Sequence, residues 1–268
     1  MIENSNQHIS GVTLLITHFN RSESLLRLLS TMNKHRVTFD EIIVADGGSK
    51  KEHMDHVLSI QPQFGFTLLT SPSNLGLGNT INMGQDAVKT PYILYIQEDF
   101  VPKAAFTAAL KDGLQIMKEE EQWDVVRFYS FPWSPFPYLK PYKKGFSEMI
   151  FSLSPFYTNH VKFYVYSDHP HLKRKTYPEK FGRYFESRFG DVTEMNMCTT
   201  FLKKKGRGLY FKDFKSLFEH DNPNDEPGLF RPDKLTTKKF SDIAPLYWLY
   251  LRYKVVKQTV AYLLNKHV

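Results

Sequence analysis

Within its first hundred residues the chain alternates repeatedly between two textures, and that alternation limits its possible folds more than any other feature. Residues 12–16 (VTLLI), 41–45 (EIIVA), 66–69 (FTLL) and 92–96 (YILYI) are short, largely apolar runs. They have the length and composition of strands covered on both faces. Between them lie segments with helical character. Leu25, Leu26, Leu28, Leu29 and Met32 fall at helical spacing in residues 22–32, and residues 51–60 and 77–88 follow the same reading. Ser22 or Asn20 stands where the first helix needs a cap. Strand and helix in this order predict a mainly parallel sheet sandwiched by helices. Such sheets bind ligands at the carboxyl ends of their strands. Four polar clusters fall at those ends: Thr17-His18-Phe19-Asn20-Arg21, Asp46-Gly47-Gly48-Ser49, Ser73-Asn74-Leu75-Gly76 and Gln97-Glu98-Asp99.

The remainder is less regular. Residues 104–118 read as an amphipathic helix, 124–129 as a strand, 194–205 as a helix and 209–211 as a strand. Residues 131–142 (FPWSPFPYLKPY) carry four prolines among aromatics, which excludes helix and central strand and predicts an irregular wall or lid. Residues 221–235 read as a connector, and the tail from 243 mixes Tyr, Trp and Leu with Arg and Lys. The polar start lacks the order of a signal peptide, and no apolar run reaches the roughly 20 residues of a membrane span. The expectation is a cytoplasmic protein. The single cysteine, Cys198, excludes an intramolecular disulfide and reads as a packed thiol. A net charge of +7 admits nucleic acid, an anionic membrane or a phosphorylated substrate as partner. No nucleic-acid module is present, and the polar clusters carry few cations, so nucleic acid is not expected.

Taken together and in order, the four clusters resemble the family 2 inverting glycosyltransferases of the GT-A fold. VTLLITHFNR matches that family's opening strand and Tyr-Asn-Arg-like segment. EIIVADGGS matches its strand ending in Asp-Asp-Gly-Ser. Asn74-Leu75-Gly76 and Asn82-Met83-Gly84 match its two Asn-x-Gly steps, and YILYIQEDFVP matches the strand ending in Asp-x-Asp. The resemblance covers residues 12–102 closely. More weakly, Glu194, Gly206 and His220 follow the spacing of the family's Glu-Asp, Gly and His. Two positions depart from the pattern: Gln97 replaces the first Asp of Asp-x-Asp, and Met195 replaces the Asp of Glu-Asp.

The resemblance implies a GT-A (nucleotide-diphospho-sugar transferase) domain over residues 8–220, with a donor half (8–102) and an acceptor half (103–220). Residues 221–268 would form a connector and a C-terminal helical appendage able to touch a membrane. It implies a nucleotide-sugar donor contacted by Thr17, Phe19, Asn20, Arg21, Asp46, Asn74, Gly76, Asn82, Gln97 and Glu98. Phe19 is suited to pack on a pyrimidine, or else to the core. Asp46 is suited to accept a base N–H, which favours uracil, or else to an ordinary turn. A divalent cation, Mn²⁺ or Mg²⁺, is expected at Asp99 with Glu98 and His220 as further ligands. Adjacent strand residues point to opposite faces, so Glu98 and Asp99 can meet one ion only if the strand has ended. Glu194, with Asp191 as the substitute, is the expected general base. Arg183 and Arg188 are candidates to steady phosphate or an acidic acceptor. The implied reaction is transfer to a glycan or lipid-linked acceptor in bacterial surface polysaccharide or lipopolysaccharide assembly, at the inner face of the cytoplasmic membrane. The alternatives are a non-catalytic nucleotide- or sugar-binding relative, or a nucleotidyltransferase, although THFNRSES lacks the glycine-rich loop of the latter.

Overall fold

The computed structural model describes residues 6–221 and 244–264. Its centre is one nine-stranded sheet, built as the alternation of textures predicts. β1 (Gln7–His18), β2 (Val37–Asp46), β3 (Thr67–Thr70) and β4 (Tyr92–Gln97) are all parallel, in the order β3-β2-β1-β4. Leu14, Leu15 and Ile16 are fully buried, as are Ile93, Leu94 and Ile96, because helices cover both faces. The connecting helices are α1 (Ser22–Lys34), α2 (Lys51–Phe64) and α3 (Leu77–Ala87). α2 continues past the expected end at residue 60 and carries Pro62 near its C-terminus. Neither expected residue caps α1. Arg21 holds the cap position without a side-chain bond, and the Ser22 hydroxyl meets His53 Nδ1 at 3.0 Å.

After β4 come β5 (Phe100–Pro102), α4 (Phe106–Glu119), β6 (Val125–Arg127), β7 (Leu139–Pro141) and β8 (Phe146–Met149). They are followed by β9 (His171–Arg174), α5 (Tyr177–Phe181), α6 (Gly190–Lys203), β10 (Gly208–Phe211), β11 (Phe218–His220) and α7 (Ala244–Leu264). The large sheet continues beyond β4 as β9-β6-β10-β8-β7. Strand β9 runs antiparallel to both β4 and β6 and stitches the two halves together. Its sequence, HLKR, gives no apolar signal, because His171 and Lys173 are fully buried polar residues in a central strand. The proline-rich stretch contributes only β7, and Pro141 lies on that edge strand where a missing N–H is tolerated. β11 pairs with β5 in a separate two-stranded sheet, with His220 opposite Phe100. The expected connector lies, apart from Asp221, outside the described residues. α7 packs through Ala261, Gln258 and Tyr262, the last lying 5.3 Å from the Phe151 ring.

Candidate active site

Register brings the four polar clusters to one edge of the sheet. His18 lies opposite Asp46, Asp46 opposite Thr70, and Thr17 opposite Gln97. β4 ends at Gln97, and Glu98 and Asp99 form a turn before β5. The strand has therefore ended where two neighbouring carboxylates need it to.

Asp46 is fully buried and its carboxylate is spent on the protein. One oxygen accepts from His18 Nδ1 at 2.8 Å and from the Ser49 hydroxyl. The other accepts from Gly48 N at 2.9 Å, Ser49 N at 3.0 Å and the Thr70 hydroxyl at 2.9 Å. Burial pushes this carboxyl up, but the bonds from His18 and Ser49 outweigh it and hold it at about 2. With both oxygens engaged by the chain and neither exposed, Asp46 shapes the site; its contact with a base edge stays a proposal. His18 Nε2 accepts the Arg21 backbone N–H at 3.3 Å, so Asp46 fixes the start of α1 through the imidazole. Gly48 has φ +82°, and a Cβ there would lie 2.5 Å from the Ser73 carbonyl carbon, so glycine is required.

Asn20 ties two of the loops together. It adopts φ +53°, which Asn tolerates better than most residues. Its N–H donates to the Ser49 hydroxyl at 2.7 Å, and its Oδ1 accepts Lys50 N at 2.7 Å. Thr17 is also occupied, with its hydroxyl 3.0 Å from the buried Tyr95 phenol. Phe19 stays partly exposed at the same edge.

Asn74 is exposed, and its Oδ1 accepts Gly76 N at 2.9 Å, which shapes the turn into α3. Asn82 is 1% exposed and clamps the segment before α6. Its amide donates to Tyr184 O at 2.9 Å and Glu186 Oε1 at 3.0 Å, and its Oδ1 accepts Tyr184 N at 2.9 Å. Gly76 serves the same junction. With φ +91°, a Cβ there would stand 1.9 Å from the Ser187 carbonyl oxygen, so Gly76 is a point of close backbone approach.

The end of β4 is built differently. Asp99 Oδ2 accepts from Arg21 Nη1 at 2.8 Å and lies 3.1 Å from His220 Nε2. Asp99 Oδ1 is buried and has no hydrogen-bond partner among the described residues. Burial opposes the charge of Asp99, yet His220 and Arg21 outweigh it and hold the carboxyl below its usual range. Glu98, 4.0 Å from the same guanidinium, is pushed up to about 8 by burial and by the Asp99 charge beside it. Gln97 points its amide toward the Tyr95 phenol, 3.4 Å away. β11 delivers His220, and the Asp221 N–H donates to Asp99 O at 2.9 Å to lock that pairing.

A divalent cation fits this end of the sheet. An orphaned carboxylate oxygen and an imidazole suit Mn²⁺ or Mg²⁺, which commonly take one or two protein carboxylates and complete their shell with phosphate oxygens and water. Among the described residues no three of His, Cys, Asp and Glu converge into a closed metal cluster.

The expected base region also looks different from its sequence. α6 begins at Gly190, so Glu194 lies in its second turn and Asp191 is exposed in its first. Glu194 Oε1 accepts the Ser167 hydroxyl at 2.7 Å and Asp168 N at 3.3 Å. Burial and the neighbouring Glu194 push the Asp168 carboxyl well above the usual range. Nothing in the sequence separated Asp168 from other loop acids. His169 continues this segment into a ring cluster, lying 4.6 Å from Phe131 and 5.4 Å from Tyr129. His220 touches the same cluster, 5.7 Å from Phe131. Arg183 pairs with Asp86 at 2.7 Å on the surface. Cys198 is buried and donates to Tyr166 O.

The profile of glycosyl transferase family 2 matches residues 13–192. Among solved structures, S. aureus TarS residues 1–349 in complex with UDP-GlcNAc is similar over 92% of this chain and 72% of that one, at 12% identity and a TM-score of 0.60. The same fragment with UDP is similar over 77% and 59%, at 16% identity and a TM-score of 0.55. A longer S. aureus TarS chain aligns over 78% of this chain with 15% identity and a TM-score of 0.57, and the match spans 36% of that protein's length. At these identities the likeness concerns the fold. No curated protein sequence matches the chain.

Proposed function

The chain belongs to glycosyl transferase family 2, and on that premise we propose that it moves a sugar from a nucleoside-diphosphate sugar to an acceptor hydroxyl with inversion at the anomeric carbon. The observation that carries the reading is the end of β4. There Asp99 is gripped by Arg21 and His220 while one of its oxygens is buried and unbonded. UDP is the favoured nucleotide, supported by the UDP complexes of the similar TarS fragment. Phe19 offers the base a flat contact. Asp99 and His220 would hold the divalent cation, with Glu98 beside them. When bound, it neutralises the departing diphosphate as a Lewis acid. Arg21 adds a fixed positive charge at the same place. The acceptor oxygen bonds to the anomeric carbon as the bond to the diphosphate oxygen breaks, and the hydroxyl proton passes to Glu194.

Calorimetric titration of UDP, GDP, CDP and dTDP, with and without Mn²⁺, into wild type and Asp99→Ala tests the donor site. Metal-dependent binding of one nucleotide, lost in the variant, is the expected result. A folded protein that binds none of the four sinks the reading. For the base, Glu194→Gln should suppress transfer by about 100-fold or more while leaving nucleotide binding intact.

The acceptor side extends the proposal to a glycan or lipid-linked acceptor in surface polysaccharide or lipopolysaccharide assembly. No described helix is long and apolar enough to cross a membrane. α7, however, exposes Leu246, Tyr247, Trp248, Leu249, Tyr250 and Tyr253 close to Arg252 and Lys254. Aromatics mixed with cations suit a peripheral contact with anionic lipid. Co-sedimentation with phosphatidylglycerol vesicles but not phosphatidylcholine vesicles, abolished by Trp248→Ser with Leu249→Ser, is the expected outcome.

A further inference from the structure

Trp133 is 76% exposed, an unusual cost for so large an apolar ring. It is nevertheless held firmly. A turn closed by Ser134 N–H to Phe131 O at 2.9 Å presents it, and the Ser130 hydroxyl braces that turn by donating to Ser134 O at 3.2 Å. Pro132 and Pro135 flank it and fix the backbone on either side. One face of the indole stacks on Phe131 at 4.7 Å and 15°, which leaves the other face open. Phe131 in turn meets His169 and His220 edge-on, and His220 is bonded to Asp99. A continuous series of rings therefore runs from the exposed indole to the carboxylate assigned to the leaving diphosphate.

Topology says which substrate meets that indole. The residues proposed for the nucleotide lie at the ends of β1 to β4. Trp133 follows β6, which is separated from β4 by β9. It therefore stands on the far side of Asp99 from the donor loops. Rested on the glycosyltransferase reading above, we propose that Trp133, backed by Phe131, is the stacking platform for a pyranose ring of the acceptor. The axial C–H face of a β-gluco- or β-galacto-configured ring is flat and apolar, its hydroxyls point outward to water, and an aromatic face with one side open matches it. The proline-flanked turn supplies the platform in its binding geometry, so little ordering is required when the sugar lands.

Saturation-transfer NMR tests the assignment on the intact protein with UDP and Mn²⁺ present. The probes are methyl β-D-glucopyranoside, methyl β-D-galactopyranoside and methyl α-D-mannopyranoside. The expected result is saturation strongest at H1, H3 and H5 of one of the β-glycosides, reduced about 5- to 10-fold in Trp133→Ala and partly retained in Trp133→Phe. UDP titration of the same samples should be unchanged by either substitution, which also shows that the variants are folded. Equal saturation in wild type and Trp133→Ala overturns the platform, as does the absence of saturation by all three glycosides in a protein that binds UDP. Failure of wild type to bind UDP removes the donor-site reading instead, and the platform falls with it.

Discussion

Asp46 and Asp99 close the two strands that flank β1, both are buried, and both sit where a nucleotide-sugar enzyme keeps acidic residues, yet their oxygens are used in opposite ways. At the end of β2 every hydrogen-bonding need of the carboxylate is met from within the chain. At the end of β4 one oxygen is held by Arg21 and His220 and the other is left unbonded in the interior. A buried polar atom without a partner is costly, and such a cost at a sheet's ligand-binding edge is where a ligand finds its binding energy. Asp46 is thus spent on the protein's own architecture, whereas Asp99 keeps an oxygen unbonded at the place we propose for the cation. The two are joined, because Asp46 fixes His18, His18 holds the Arg21 backbone, and the Arg21 side chain grips Asp99.

The largest effect that would break this comparison is on turnover. Asp99→Asn should lower sugar transfer by at least ~100-fold while the protein stays folded, since an amide keeps the shape but loses the charge. A transfer rate near wild type in a steady-state assay would erase the distinction. Asp46→Asn should act mainly on stability, with a loss of about 3–5 kcal/mol in urea unfolding, because it breaks a fully buried pair. Equal loss of nucleotide affinity in both folded variants would show that Asp46 contacts the ligand after all.

Acid sharpens the contrast. The Asp46 carboxyl sits at about 2 in the folded protein against 3.8 when free. Its stabilisation is therefore present above the unfolded value and is lost as pH falls through about 2. The stability gap between wild type and Asp46→Asn should narrow by roughly 2 kcal/mol between pH 5 and pH 2, measured by urea titration. The smallest effect belongs to Ser49→Ala. It removes one of the five bonds to Asp46 together with the acceptor of the Asn20 N–H, and should cost about 1 kcal/mol. No measurable change there would mean that the remaining donors already saturate the carboxylate.

Much of the sheet could be read from the sequence because its strands are apolar on both faces and its helices alternate with them. Strands β1 to β4 and helices α1 to α3 follow that pattern closely. β9 was invisible for the converse reason, since it places Lys173 and His171 in the interior, where Lys173 donates to the Tyr184 phenol and His171 Nδ1 meets the His169 carbonyl. The candidate site divides in the same way. Residue types and spacing marked Asp46, Asn82 and Asp99, but only the packed chain reveals how much of each side chain is already in use. The Arg21–Asp99 ion pair joins residues 78 positions apart, and Glu194 meets Asp168 across a fold between α6 and an irregular loop. Contacts of that kind leave no periodic trace.

The antiparallel seat of β9 also carries a cost in time. Tyr92 on β4 pairs with Arg174, so one edge of β4 has no strand beside it until more than 80 further residues have been made. At about 5–20 residues per second of synthesis, that edge waits roughly 4–16 s for its neighbour. During that interval a half-built sheet shows an apolar, unpaired strand, the kind of surface that recruits other chains. Substitutions that weaken β9 should therefore reduce the yield of folded protein more than they reduce the stability of what does fold.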